Sequence, residues 1–519
     1  MGVPPTGRQV MSEKKLKIYF TSDVHGYFYP TTYGDREVKP LGLFQCASEY
    51  EKDGNTLVLD GGDILQGSAF VGYCKQKLQS AKIIAEVMND CGYDYYTIGN
   101  HDFNYGQEYQ KLYRENHKGT CICQNITDEE GNILYPYRIH TLENGLKVGL
   151  VGIVTDWINI WEKPDHIKGL KITDPVAAAK KALDELKGNV DITVCVYHGG
   201  FEKDIKTGNT LSVTTENMGY RICEELDFDI LLTGHQHMSV DGQWLHDTFV
   251  VQPVENAKEY QHVDVIWADG RLEITSERRM AGVYTQQADE AKKQEMEAKR
   301  KALIDKYQPI EDKVQEWLDQ PAGHLSEGIF PEDKVKMALE GSKIADFFNR
   351  IQLYFSEAQI SSVGLANQIE GFNKEVSIRD IIATYPYPNT LVVLKVSGEQ
   401  LKRAMERSAE YFEVDADGTV KVSDAFLQPK VEHYNYDYYM GVSYDIVPGN
   451  PKGSRIENLC FQGKPVEAED EFTLCLNNYR SSGAGGYEVY TECETVKEIN
   501  IEMTELIMEY FRLHPYIEV

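Results

Sequence analysis

Between Leu16 and about Thr285 two hydrophobic periods alternate along the chain. Short apolar runs rich in β-branched and aromatic residues predict strands at Leu16–Thr21, Thr56–Leu59, Tyr95–Ile98, Val148–Val154, Ile192–Tyr197, Ile230–Leu232, Phe249–Val251 and Val263–Trp267. Between them, Ser80–Asp90 and Asp174–Lys187 carry the spacing of amphipathic helices. The second opens with Asp-Pro, an N-cap and first-turn pair. Alternation of this kind predicts a layered α/β fold.

The pattern changes over 286–319, where Lys and Glu interleave with few apolar residues. This predicts a long exposed helix, broken near Pro309, that serves as a solvated linker. From Pro321 an α+β unit follows: a helix over Ser342–Phe355, a strand over Leu391–Val396, a helix from Gly398 to Tyr411 and a strand over Phe472–Leu476. The expected organisation is therefore a first domain over 1–285, a helical linker over 286–320 and a second domain over 321–519. No internal repeat interrupts it.

Composition adds limits. A chain of 519 residues is too long for one core. The formal charge of −29, from 82 acidic and 53 basic residues, argues against a DNA or RNA polymer as partner, which would need a basic stripe. It leaves room for a small anionic substrate, because a metal centre reverses the local field. No apolar run approaches the roughly 20 residues that span a bilayer, so no membrane segment is expected. No apolar leader precedes the first strand, and a cytoplasmic location is expected, with Met11 an alternative start and the first ten residues dispensable. The ten scattered cysteines read as reduced, mostly buried thiols. Oligomeric state is left open.

The chemistry gathers at strand ends. Ser22-Asp23-Val24-His25-Gly26, Asp60-Gly61-Gly62-Asp63, Gly99-Asn100-His101-Asp102, Tyr197-His198-Gly199-Gly200 and Thr233-Gly234-His235-Gln236-His237 each follow a predicted strand. Ligands of α/β folds sit outside the carboxyl ends of strands, so these five sets should converge. Asp23 and Asp63 offer hard oxygens, His25, His198, His235 and His237 offer imidazole, and Asn100 offers an amide oxygen. The set suits two divalent cations, and its mixed N/O character fits Mn, Zn, Co or Fe better than Ca or Mg. Asp63 is placed to bridge them. Two divalent cations against two aspartates leave a positive site for a phosphate, where metals activate water and stabilise developing charge. His101, beside Asn100, is placed to give the leaving oxygen a proton. Asp102 reads as a solvated or loop-stabilising acid, and His140, His166 and His514 as structural.

In the second domain, Tyr387 stands near Asn389, and Tyr479 beside Asn477 and Asn478, in turn-rich loops. Two such aromatics would sandwich a nucleobase while the amides read its polar edge.

Together "DVHG", "GGD", "GNHD", "HGG" and "GHQH" resemble the calcineurin-like metallophosphoesterases. The resemblance implies a two-sheet sandwich flanked by helices. It also implies that Asp23, His25, Asp63 and His237 hold one metal, that Asp63, Asn100, His198 and His235 hold the other, and that His101 is catalytic. The second half resembles the C-terminal domain of the 5′-nucleotidase family at Pro386-Tyr387-Pro388-Asn389 and from Asn478-Tyr479 to Gly486-Tyr487. That implies a nucleotide substrate contacted by Tyr387, Asn389, Asn478 and Tyr479. Two departures stand out. The segment 361–367 lacks the arginine of 5′-nucleotidases, and "GNHDFN" places Asn104 where they carry an acid. Both resemble the 2′,3′-cyclic-nucleotide 2′-phosphodiesterase/3′-nucleotidase branch. The competing expectations are a 5′-nucleotidase or nucleotide-sugar hydrolase, a non-catalytic nucleotide-binding protein, and a nuclease of the same superfamily.

Overall fold

The computed structural model describes residues 13–519 apart from 212–213, 269, 388 and 428–430. Met11 and the first ten residues thus lie outside the described residues. The chain forms two compact units, one of residues up to Thr32 with Glu37–Val314, the other of Tyr33–Arg36 with Gln315–Val519.

The first unit holds two six-stranded sheets. In one, the parallel strands Lys14–Thr21, Thr56–Asp60, Tyr95–Tyr96 and Thr120–Cys121 are extended by the antiparallel Glu259–Ala268 and Arg271–Met280. In the other, Lys147–Val154, Ile192–His198, Ile230–Thr233 and Thr248–Gln252 run parallel between antiparallel edges. Period-two alternation makes the sandwich. Leu16, Ile18 and Phe20 meet Val148, Leu150, Val194 and Val196 in the core between the sheets. Val151, Ile153, Cys195 and Tyr197 face outward, where Val176, Ala179 and Leu183 of the Pro175–Leu186 helix cover them. Asp174 caps that helix, accepting from the backbone of Val176 and Ala177 at 2.8 and 3.0 Å.

Parallel registry sets Thr21 beside Asp60 and His198 beside Val154. The loops that follow therefore start at one level, which is what gathers the polar clusters. The edge strand Arg271–Met280 was not legible as a strand, because Ile274 and Arg279 alone of its ten residues are buried.

The helix after the sandwich differs from expectation. It runs unbroken over Glu290–Leu318 with Pro309 inside. Nor is it a solvated linker: through Val314 it belongs to the first unit. Met296, Tyr307 and Val314 are buried. Tyr307 stacks on Phe44 at 5.9 Å and its hydroxyl donates to Asp90 at 2.6 Å. Such packing outweighs the hydrogen bond and the steric fit lost at an interior proline.

The second unit is built on a five-stranded sheet ordered Asp437–Met440, Ile360–Gly364, Glu471–Asn477, Leu391–Ser397, Glu494–Ile499. Its alternating faces bury Leu391, Val393 and Cys475 under the Lys343–Ser356 helix, and Val392, Leu394, Val396 and Leu474 under the Gly398–Ala409 helix. Among the described residues no helix is long and apolar enough to cross a membrane.

Candidate metal centre

Five side chains at the strand ends stand on left-handed backbone: Asp23 at φ 55°, His25 at 50°, Asp63 at 61°, His235 at 68° and His237 at 55°. Non-glycine residues hold such conformations at a cost of about 1–3 kcal/mol each, and only where the surroundings enforce them. Here they are enforced by contacts between loops. Asp23 N–H donates to the Gly62 carbonyl at 2.9 Å and His25 N–H to the Asp63 carbonyl at 2.8 Å. Gly99 allows a close approach, since a Cβ there would collide with the Asp63 carboxylate.

Each aspartate is held by one oxygen and offers the other. Asp23 Oδ2 accepts from Ser22 Oγ at 2.5 Å and from His235 N–H at 2.9 Å, while Asp63 Oδ1 accepts from His101 N–H at 2.7 Å. Asp23 Oδ1 and Asp63 Oδ2 are buried without a hydrogen-bond partner among the described residues.

The histidines show the same division. His25 Nδ1 donates to the Gln66 carbonyl at 2.9 Å, His198 Nδ1 to the Gly61 carbonyl at 2.7 Å and His235 Nε2 to Glu216 at 2.9 Å. These outer acceptors fix ring orientation, and the second nitrogen of each ring faces inward. His198 Nε2 and His235 Nδ1 then lie 3.0 and 2.9 Å from Asn100 Oδ1, and His25 Nε2 lies 3.3 Å from His237 Nε2. Ligand atoms of Asp23, His25 and His237, and of Asp23, Asp63 and His198, fall within 4.8 Å of one another. Asp23 is common to both groups, and Asp63 stands in the second with His198.

The carboxylates and rings are also electrostatically linked. Burial pushes the His198 imidazole down, but the Asp63 and Asp23 carboxylates push it further up, to about 10. Burial lowers His25 to about 4 against the pull of Asp63. Burial would raise both aspartates, yet His198 and the neighbouring rings hold them below the usual carboxylate range. Asp63 Oδ2 lies 3.2 Å from His198 Nε2 and Asp23 Oδ1 lies 3.4 Å from His237 Nε2, and inward carboxylate oxygens facing inward imidazole nitrogens are a donor set that fits divalent metal ions. Asp23, His25, Asp63, Asn100, His198, His235 and His237 all lie in this one cluster.

His101 stands at its edge, half-buried, with its ring 5.5 Å from that of His25. Its Nδ1 lies 2.8 Å from Asn104 Oδ1. Asp102 stabilises loops but is not solvated. It is 5% exposed, and its carboxylate accepts four backbone N–H groups, those of Asp63, Ile64, Leu65 and Gly99, at 2.8–3.0 Å. No pattern in the chain pointed to Glu216, which orients His235, or to Trp161, whose ring stacks on His235 at 5.5 Å.

In the second unit, Tyr387 is half-buried and Tyr479 is 42% exposed. Tyr434, which the sequence did not single out, stands edge-on to both, at 6.2 and 6.4 Å. The Asn478 side chain accepts from Thr390 N–H at 3.2 Å, and Asn389 Nδ2 lies 3.4 Å from the Tyr385 hydroxyl. Tyr487 is fully buried and bonds Ser408 and the Asn435 carbonyl, which makes it a core residue.

Known proteins share this architecture. Residues 16–239 match the calcineurin-like phosphoesterase family, and residues 321–492 match the 5′-nucleotidase C-terminal domain. A solved Staphylococcus aureus protein, provisionally named a 5′-nucleotidase, is 32% identical with a TM-score of 0.72, over 97% of this chain and 100% of that one. The 2′,3′-cyclic-nucleotide 2′-phosphodiesterase/3′-nucleotidase of Salmonella typhimurium is 25% identical over 90% of this chain and 81% of its own length. The trifunctional nucleotide phosphoesterase YfkN of Bacillus subtilis is 25% identical over 95% of this chain, which spans 38% of that longer protein.

Proposed function

Because the chain belongs to the 5′-nucleotidase family of calcineurin-like metallophosphoesterases, we propose that it hydrolyses nucleotide phosphoesters at a centre of two divalent metal ions, as a 2′,3′-cyclic-nucleotide 2′-phosphodiesterase/3′-nucleotidase. In this reading Asp23, His25, Asp63 and His237 hold one ion, and Asp63, Asn100, His198 and His235 hold the other, with Mn, Zn, Co or Fe as the metals. The bound ions supply activation of water and stabilisation of charge on the phosphoryl group. His101 presents Nε2 to the leaving oxygen and gives it a proton. In the second unit Tyr387 and Tyr479, with Asn389 and Asn478, take the base. Tyr434 supports their spacing. The observation that carries the branch is Asn104, an amide in contact with His101 where 5′-nucleotidases place an acid.

A 5′-nucleotidase is the second reading, favoured by the 32% identity to the staphylococcal protein so named. One panel separates the two. Protein reconstituted with Mn, Co or Zn is given 5′-AMP, 3′-AMP and 2′,3′-cyclic AMP, and phosphate and nucleoside are followed. Turnover of the cyclic and 3′ substrates is expected. Turnover of 5′-AMP alone would overturn the branch, and no turnover at all would overturn the enzyme.

A further inference from the structure

The loop after the Lys147–Val154 strand holds a buried acid that no chemistry above uses. Glu162 is 7% exposed. Its Oε2 accepts from Asn104 Nδ2 at 2.8 Å. Its Oε1 accepts from Lys163 N–H at 2.8 Å and from His166 Nδ1 at 2.7 Å. Asn104 in turn places its oxygen 2.8 Å from His101 Nδ1.

The donor and acceptor logic of this row runs one way. A carboxylate only accepts, so Asn104 must turn its amide nitrogen toward Glu162 and its oxygen toward His101. An amide oxygen also only accepts, so His101 Nδ1 must carry the proton. Nε2 is then the nitrogen left for the substrate; it takes up a proton to form the imidazolium, whose Nδ1–H stays on Asn104, and that Nε2 proton is the one passed to the leaving oxygen, which returns the ring to the Nδ1–H form. Without Glu162 the Asn104 amide is free to flip, offering His101 a donor and favouring the opposite tautomer.

We propose that Glu162 is a positioning residue for the reaction: by fixing the Asn104 amide it fixes the His101 tautomer, leaving Nε2 directed at the leaving oxygen. The acid that seemed missing beside His101 is present one side chain further back. This rests on His101 acting at the leaving group.

The test uses the full-length chain. In metal-free protein labelled with ¹⁵N at histidine, His101 is identified by the signal lost in His101→Gln. Wild type is expected to show the Nδ1–H tautomer, Glu162→Ala a mixture or the Nε2–H form, and the double variant Asn104→Asp/Glu162→Gln a restored Nδ1–H tautomer. The double variant exchanges acid and amide, so the carboxylate introduced at position 104 would accept from both neighbours, whereas Asn104→Asp alone sets two carboxylates together. With Mn-loaded enzyme and the best nucleotide of the panel, Glu162→Ala should lower kcat about tenfold to hundredfold, with KM and metal content near wild type. Against 4-nitrophenyl phosphate, whose leaving group needs no proton, the loss should largely vanish. His101 signals unchanged in Glu162→Ala, or Asn104→Asp as active as the double variant, would overturn the proposal. The NMR result is independent of turnover, so failure of the substrate panel would sink the functional reading and leave the tautomer question answered.

Discussion

Asp102 offers a quantitative test of how the centre is held. Its two oxygens accept four backbone N–H groups, two each, and so tie the Asp63 loop to the Gly99 turn. Asp102→Asn keeps size and shape but replaces one oxygen by an NH₂ group. Whichever way the amide turns, two buried N–H groups lose their acceptor and face another donor. At about 1–3 kcal/mol for each unsatisfied donor, the cost is about 2–6 kcal/mol. For a unit of this size that is a fall in Tm of roughly 3–9 °C. Because either orientation releases at least one amide of the 63–65 loop, metal affinity should also weaken, by about 10- to 100-fold. Chelator-stripped protein should therefore be melted in parallel with wild type, and each titrated with Zn²⁺ by calorimetry. Asp184→Asn, on an exposed helix face, is the control and should stay within about 0.5 kcal/mol. If Asp102→Asn matched that control in both measurements, the cradle would not be what holds these loops.

Three further outcomes are expected. Asp63→Ala should lose bound metal, whereas His101→Gln should keep it and lose about 10²- to 10⁴-fold in kcat, as metal analysis beside steady-state kinetics will show. Tyr387→Ala and Tyr479→Ala should each raise KM for a nucleotide by about 5- to 150-fold, the equivalent of about 1–3 kcal/mol of stacking, with Tyr487→Phe near wild type because that ring is core. His117 is buried against Tyr96, the two rings tilted at 37° with centroids 4.4 Å apart, and burial lowers its imidazole from 6.5 to about 4. A histidine lowered on folding contributes stability that is whole above 6.5 and lost as pH falls toward 4, here about 3 kcal/mol, so urea midpoints of His117→Phe should fall less steeply across that window than those of wild type.

The convergence of the polar strand-end residues was legible because chemistry and strand periodicity coincided. Asp23, Asp63 and His198 follow apolar runs whose alternation placed those runs in a sandwich, and parallel strands deliver their ends to one side. What surrounds them was not legible. Glu162 reaches Asn104 across 58 residues, and Glu216 reaches His235 across 19, with no local pattern announcing either contact. Asp102 reads in the sequence as either a solvated or a loop-stabilising acid, because a lone acid beside a glycine turn gives no sign that four amides from two loops will close on it. The Glu290–Leu318 helix looked free for a related reason. Its buried positions, among them Met296, Tyr307 and Val314, are too widely spaced to draw an apolar stripe through a Lys/Glu background.

The left-handed backbone at Asp23, His25, Asp63, His235 and His237 bears on which amino acids can ever replace them. Asp, Asn and His are the non-glycine types enriched in that conformation. They are also short enough, or rigid enough, to aim a ligand atom from a tight turn. Backbone tolerance and coordination thus select the same narrow alphabet. Glutamate would keep a carboxylate but adapt poorly to the turn and carry its oxygens one methylene too far. Substitution at these positions is filtered twice, once by folding and once by chemistry, so neutral drift there should be confined to a handful of exchanges even in a relative that has lost its activity.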